Sequence, residues 1–281
     1  MVPVITKHAD ARAFLEACGA ALRRQPVANQ MPLGIAHNIL VEPERYGHDL
    51  RMYTAAVGGE VIGAVLQTPP WPVQITLTTF EAAAALGRTF AREHAPIAAI
   101  SGPDAAPEQF AAAYVAEHGG SYALDMALGT FELVRVADLP SVAGRRVLAG
   151  PEHAGQLQAW LVAFHAEATA HDPPIRPDAA ARAIAGGRAH VWLDGGDRPV
   201  AFAFKNREVE GWASVGPVFT PRELRGRGYA TALVAALSRH LLEQGRVGCT
   251  LYTDLTNPTS NAIYERIGYR RVGSASRFAF T

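Results

Sequence analysis

Lysine is nearly missing from this chain: only Lys7 and Lys205 occur, and arginine supplies the remaining positive charge. That scarcity excludes one large class of phosphate site, because a G-x-x-x-x-G-K-[ST] loop needs a lysine beside its glycines. Cysteine is as scarce. Cys18 and Cys249 lie far apart and have no metal or redox spacing, so inert core thiols in a reduced compartment are expected. No cluster of His, Cys and Asp appears, and no metal is expected. Charge of one sign is missing too. The formal net charge is +0, which argues against nucleic acid or an anionic membrane as partner. Finally, no apolar run reaches the roughly 18 residues a membrane span needs. The opening stretch, MVPVITKHAD, carries no apolar core of a signal peptide. A cytoplasmic location is the expectation.

What is present is a globular composition. Hydrophobic residues make up 49% and charged residues 19% of 281, enough for a real core and, by length, for two domains. An alternating run from Thr130 ends at Val136, and proline and glycine follow by Gly144. Such punctuation after a strand pattern marks a connection. The expected domains are 1–138 and 144–281.

The second half alternates strands and helices. Arg146–Ala149 reads as a strand. Glu152–Ala168 reads as a helix, with Leu157, Trp160, Leu161 and Phe164 at helical spacing and expected in the core. Asp178–Ala185 is a weaker helix. His190–Leu193 and Val200–Lys205 read as strands paired through Asp194-Gly-Gly-Asp197. Trp212–Phe219 is a longer strand, Ala230–Leu242 a helix with one apolar face, Val247–Tyr252 a strand and Ser260–Ile267 a short helix. Tyr269–Val272 and Arg277–Phe280 read as a final strand pair.

The first half can be laid over the same plan. Helices are expected at Ala9–Arg24, Met31–Leu40, Phe80–His94 and Pro107–Glu117. Strands are expected at Met52–Val57, Val61–Gln67, Val73–Thr78, Ile97–Ile100 and Ala123–Val136. The order repeats while residue identity does not, which suggests an internal duplication.

One hexapeptide stands out: Arg225-Gly-Arg-Gly-Tyr-Ala230, between the Val215–Phe219 run and the following helix. Glycines let backbone N–H groups approach an anion, a helix start leaves N–H groups unpaired, and arginines add charge-assisted hydrogen bonds. Three glycine-rich patterns compete. The lysine-containing loop is excluded above. A dinucleotide turn needs a third glycine where Thr231 stands, and an acidic residue about 20 positions on. An R/Q-x-x-G-x-G/A turn is matched by Arg225, Gly228 and Ala230. In the first half the same place holds Thr78-Thr-Phe-Glu-Ala-Ala83, with no glycine or arginine.

Residues 218–272 resemble the acetyl-CoA-binding core of the Gcn5-related N-acetyltransferases, the GNAT superfamily. A second stretch, Asn257-Pro-Thr-Ser-Asn261-Ala-Ile-Tyr264-Glu-Arg-Ile-Gly268-Tyr269, is similar to that family's later N-x-x-A-x-x-x-Y-x-x-x-G-F signature. The resemblance implies an α+β fold: two GNAT-like domains, each a mostly antiparallel twisted sheet flanked by helices, the first degenerate and without the cofactor turn. It implies that two central strands splay apart around the pantetheine arm of acetyl-CoA. Val218, Phe219 and Thr220 would then offer backbone groups. Gly226, Arg227, Gly228, Tyr229, Ala230 and Thr231 would wrap the pyrophosphate, with charge from Arg225 and Arg227. Asn257 and Asn261 would hydrogen-bond the cofactor, although helix capping competes for both. Tyr264 matches the residue that protonates the leaving thiolate.

The implied activity is direct acetyl transfer from acetyl-CoA to a primary amine, on a small molecule or peptide, without metal. An inactive CoA-binding or sensor module is the alternative. Glu208, Glu210, His165, Glu167, His171 and Asp172 compete with water for the role of general base. The chain could be a monomer or a homodimer.

Overall fold

A computed structural model describes residues 2–281. In chain order the elements are β1 (Val4–His8), α1 (Ala11–Leu22), α2 (Gln30–Val41), β2 (Arg51–Val57), β3 (Glu60–Gln67), β4 (Val73–Ile75), α3 (Phe80–His94), β5 (Ala99–Pro103), α4 (Ala106–His118) and β6 (Tyr122–Leu133). Then follow β7 (Arg145–Leu148), α5 (Ala154–Ala168), α6 (Ala179–Ala185), β8 (Ala189–Leu193), β9 (Pro199–Val209), β10 (Trp212–Phe219), α7 (Tyr229–Glu243), β11 (Gly248–Asp254), α8 (Pro258–Ile267) and β12 (Arg270–Phe280). Leaving out short single-turn helices, the second set repeats the order of the first element for element. The fold is α+β, as expected.

The chain divides into two units. The first comprises residues 1–130, 253–256 and 272–281; the second comprises residues 131–252 and 257–271. These limits differ from the expected 1–138 and 144–281, because the chain's last residues belong to the first unit.

In the first unit β1, β2, β3 and β4 pair antiparallel in sequence order, and β5 lies parallel to β4. Residues Ala275–Ala279 of β12 then pair antiparallel with Ala99–Pro103 of β5. The core gathers Tyr53, Val65, Leu86, Phe90, Ile100 and Phe110 from strands, α3 and α4, with Phe278 from β12. Helices α1 and α3 begin where side chains cap them. Asp10 Oδ1 accepts from Ala13 N–H at 2.8 Å, and Thr79 Oγ1 accepts from Ala82 N–H at 3.3 Å.

In the second unit β7, β8, β9 and β10 pair antiparallel, and β11 runs parallel to β10. The β8–β9 turn is pinned by Asp194, whose Oδ1 accepts from the N–H groups of Gly196 and Arg198. Two cores cover the two faces. Leu233, Val234, Leu237 and Leu241 of α7 pack on Ala201, Ala213, Val215 and Leu251. Leu157 and Leu161 of α5, with Ala180 and Ala183 of α6, pack on Val191, Phe202, Phe204 and Phe219. Trp160 and Phe164 join that second core, as expected.

Three sequence expectations are corrected. Strand β1 was not anticipated: it is a short edge strand, paired on one side with Met52–Ala56. Val73–Thr78 is strand only to Ile75, because Thr76 and Thr78 turn to hydrogen-bond Ala64 and Ile62 of β3. The expected final pair is one continuous strand. Gly273-Ser274 reads locally as a turn, yet Ser274 O accepts from Asp104 N–H at 3.1 Å and the pairing with β5 keeps the chain extended. Long-range pairing overrides local turn signals here.

No helix among the described residues is long and apolar enough to cross a membrane. Cys18 and Cys249 are buried free thiols, pushed up to about 12 and about 11 by burial.

Candidate functional site

The site begins where two strands part. β10 and β11 pair only over Trp212–Gly248, Ala213–Cys249 and Ser214–Thr250. Beyond that rung β10 stays with β9, through two register shifts, and pairs Val218 with Ala203 and Phe219 with Phe202. The strand edges from Val215 on β10 and Leu251 on β11 therefore leave a wedge between parallel strands. The corresponding pair in the first unit stays closed. There β4 and β5 pair at Val73–Ile100 and Gln74–Ser101, and Gly102 lies so near Ile75 that a Cβ would stand 2.5 Å from its carbonyl oxygen.

At the mouth of the wedge Thr220 is buried, and its Oγ1 has no hydrogen-bond partner among the described residues. Buried polar atoms are ordinarily satisfied, so an orphaned one beside an open strand edge suits a polar ligand. The chain then makes one short helical turn, Arg222–Leu224, and enters the glycine segment. Gly226 and Gly228 have φ of +76° and +80°, a region that costs other residues about 1–2 kcal/mol. Gly228 is the N-cap of α7 and brings no side chain to cap it. The first bonded N–H of the helix is that of Ala232, to Gly228 O at 2.9 Å. The N–H groups of Tyr229, Ala230 and Thr231 are thus left for another acceptor. The first unit's helix start has the opposite chemistry. Thr79 caps it and Glu81 occupies its first turn.

The arginines are held differently from each other. Arg225 Nε donates to Thr220 O at 2.9 Å, its guanidinium lies 5.6 Å from the centre of the Phe219 ring, and Nη2 donates to Glu167 Oε2 at 2.7 Å. Arg222 Nε donates to the other oxygen, Glu167 Oε1, at 3.1 Å. Arg227 is exposed and makes only a long contact, Nη2 to Glu223 O at 3.4 Å.

Val218, Leu224, Tyr229, Ile263 and Tyr264 each pack against the α7-side core. Phe219 packs on the opposite core and presents only its backbone to the wedge. Tyr264 stands on α8, which stops where the N–H groups of Gly268 and Tyr269 return to the carbonyls of Glu265 and Tyr264. Its ring meets Tyr269 edge-on at 5.9 Å, and Tyr269 is anchored by Ser238 at 2.9 Å. The Tyr264 hydroxyl has no hydrogen-bond partner among the described residues, and burial pushes it up to about 12. It is neutral at physiological pH.

The asparagines divide. Asn257 is the N-cap of α8, its Oδ1 accepting from Ser260 N–H at 3.1 Å. Capping, the role that competes for this residue, is the one its oxygen fills here. Asn257→Ala is expected to cost about 1 kcal/mol of stability, read as a lowered melting temperature in calorimetry. Asn261 sits half-buried one turn on.

The candidate bases also separate. Glu167 has both oxygens on arginines, and the Arg225 guanidinium, with Arg222 beside it, holds its carboxyl below the usual carboxylate range. Such a carboxylate is a poor base. Glu208 is tied to Lys205 at 3.3 Å and Arg246 at 2.7 Å. His165 Nδ1 lies 3.2 Å from Thr169 Oγ1. Among the described residues no group of His, Cys, Asp and Glu could hold a metal.

A sheet splayed above an uncapped, glycine-led helix start is the geometry of the GNAT fold. Residues 206–278 match the family described as FR47-like protein. The resemblance read from Arg225–Ala230 and Asn257–Tyr269 is borne out: this family match lies over both motifs, and the chain has the fold of solved GNAT proteins. A GCN5-related N-acetyltransferase from Sphaerobacter thermophilus shares the fold with TM-score 0.62 and 17% identity, over 99% of this chain and 95% of that one. A tandem GNAT protein from the clavulanic acid biosynthesis pathway shares it with TM-score 0.56 and 15% identity, over 99% and 98%. A curated acetyltransferase of Agrobacterium fabrum is 29% identical over 85 residues, a segment spanning 30% of this chain and 61% of that protein.

Proposed function

We propose that the second unit binds acetyl-CoA and transfers its acetyl group to a primary amine. The observation that carries this reading is the wedge between β10 and β11, opening onto the free N–H groups of Tyr229–Thr231. The residues fit the ligand. The wedge offers strand-edge backbone to a pantetheine arm, Thr220 supplies an unpartnered hydroxyl, and the glycine turn supplies N–H groups and nearby arginines to a diphosphate. Bound acetyl-CoA supplies the acetyl group already activated as a thioester. The free edge of β10 near Val218 can donate a backbone N–H to the carbonyl oxygen as charge develops there. As the amine bonds to the carbonyl carbon and the carbon–sulfur bond breaks, Tyr264 gives its proton to the departing sulfur. The amine's own proton passes to water, since Glu167 is held by arginines and Glu208 is tied to Lys205 and Arg246.

The first unit is read as a degenerate copy of the same plan. Its strand pair is closed at Gly102, its helix start is capped by Thr79, and Glu81 opposes a phosphate there. The tandem GNAT protein above supports this reading by fold.

Two measurements test the proposal. In a thermal-shift titration, CoA and acetyl-CoA are expected to raise the melting temperature, with NAD and ATP inert at equal concentration. In a thiol-release assay against an amine panel, at least one amine is expected to accelerate release above hydrolysis. Stabilisation by CoA with no amine-dependent release would reduce the protein to a CoA-binding module.

A further inference from the structure

Glu167 brings a charge of the wrong sign for an anion site onto the arginines at the turn. Glu167, near the end of α5, places both carboxylate oxygens on the two arginines that precede the glycines. Its side chain is only 28% exposed. A carboxylate and a diphosphate cannot share the same guanidinium edge, and like charges this near each other repel. Arg225 does not depend on Glu167 for its position. Its Nε is fixed by Thr220 O and its plane rests on Phe219 whether or not the carboxylate is present. Removing the carboxylate therefore frees the Nη2 edge without releasing the side chain.

We infer that Glu167 is a latch: it competes with the cofactor diphosphate for Arg225 and so couples cofactor occupancy to the C-terminal end of α5. The inference rests on the acetyl-CoA reading above. When a diphosphate takes the Nη2 edge, the last turn of α5 loses its tie to the Arg222–Arg225 segment. That turn is otherwise held by the bonds from Thr169 to His165, and it leads directly into the segment from Thr169 to Asp178. Coupling is reciprocal. Whatever presses α5 onto the turn weakens cofactor binding by the factor with which the cofactor loosens α5. The low-lying carboxyl of Glu167 agrees with a latch that is charged at every physiological pH.

The test titrates CoA and pantetheine, which lacks the diphosphate, into wild type and Glu167→Gln by calorimetry, and follows amide exchange over residues 165–172. The variant is expected to bind CoA roughly two- to fivefold more tightly, the scale of a half-exposed ion pair, with pantetheine affinity unchanged. In wild type, CoA is expected to speed exchange over residues 165–172. In the variant that exchange is fast beforehand and CoA leaves it alone. Glu167→Asp, too short to reach both arginines, is expected to fall between the two. A variant that binds CoA as wild type does, or more weakly, overturns the latch. A wild type that binds no CoA strikes the acetyl-CoA reading itself.

Discussion

Gly228→Glu is expected to reduce CoA affinity by at least about 100-fold. Three effects act in one direction. The φ of +80° at this position is costly for any side chain. A Cβ would stand 3.2 Å from Val142 Cγ2, so that contact must give by a few tenths of an ångström. Above all, a carboxylate would sit among the N–H groups of Tyr229–Thr231, at the end of a helix that favours an anion from outside. At an effective dielectric near 20, two unit charges 4 Å apart repel by about 4 kcal/mol. Gly228→Ala separates the contributions, since it brings the strain and the contact without the charge. It is expected to weaken CoA several-fold only. Calorimetric titration measures both variants, and circular dichroism checks that each is folded. If Gly228→Glu binds CoA as tightly as wild type, the diphosphate does not lie on this turn.

Tyr264→Phe is expected to lower the turnover number roughly 10²- to 10⁴-fold, the usual yield of a positioned acid, while CoA affinity stays within about twofold of wild type. The split follows from the geometry. The ring packs on the α7-side core and against Tyr269, contacts that phenylalanine keeps; only the hydroxyl is lost. Burial raises Tyr264 to about 12, so its proton is retained across the pH range of any practical assay. Wild-type turnover is accordingly expected to show no alkaline decline from Tyr264 up to pH 10. Unchanged turnover in the phenylalanine variant would transfer the acid role to solvent.

How much of this was legible in the sequence depends on the range of the interaction. The turn was readable because its requirements are local. Glycine at two left-handed positions and a helix start within six residues leave a mark that one line of sequence displays. The capping of α8 was readable for the same reason, and the bond from Ser260 to Asn257 shows that role filled. Glu167 was not readable as the partner of Arg225, because 58 residues separate them and nothing near Glu167 distinguishes it from other surface carboxylates. The closed strand pair of the first unit depends on Gly102 meeting Ile75, another contact without local trace. The continuity of β12 was hidden because its glycine and serines carry turn character, while the force that straightens them comes from β5.

That strand sets an order of assembly. Residues 274–276 of β12 meet Asp104 some 170 positions earlier, and Phe278 fills the first unit's core. On the ribosome the first unit must therefore wait, its sheet short of a strand, until the second unit has been made. A loop that long closes at a modest entropic cost but a considerable delay. The first unit is thus completed after the second, and a chain interrupted before β12 leaves it with an open strand edge and an unfilled core.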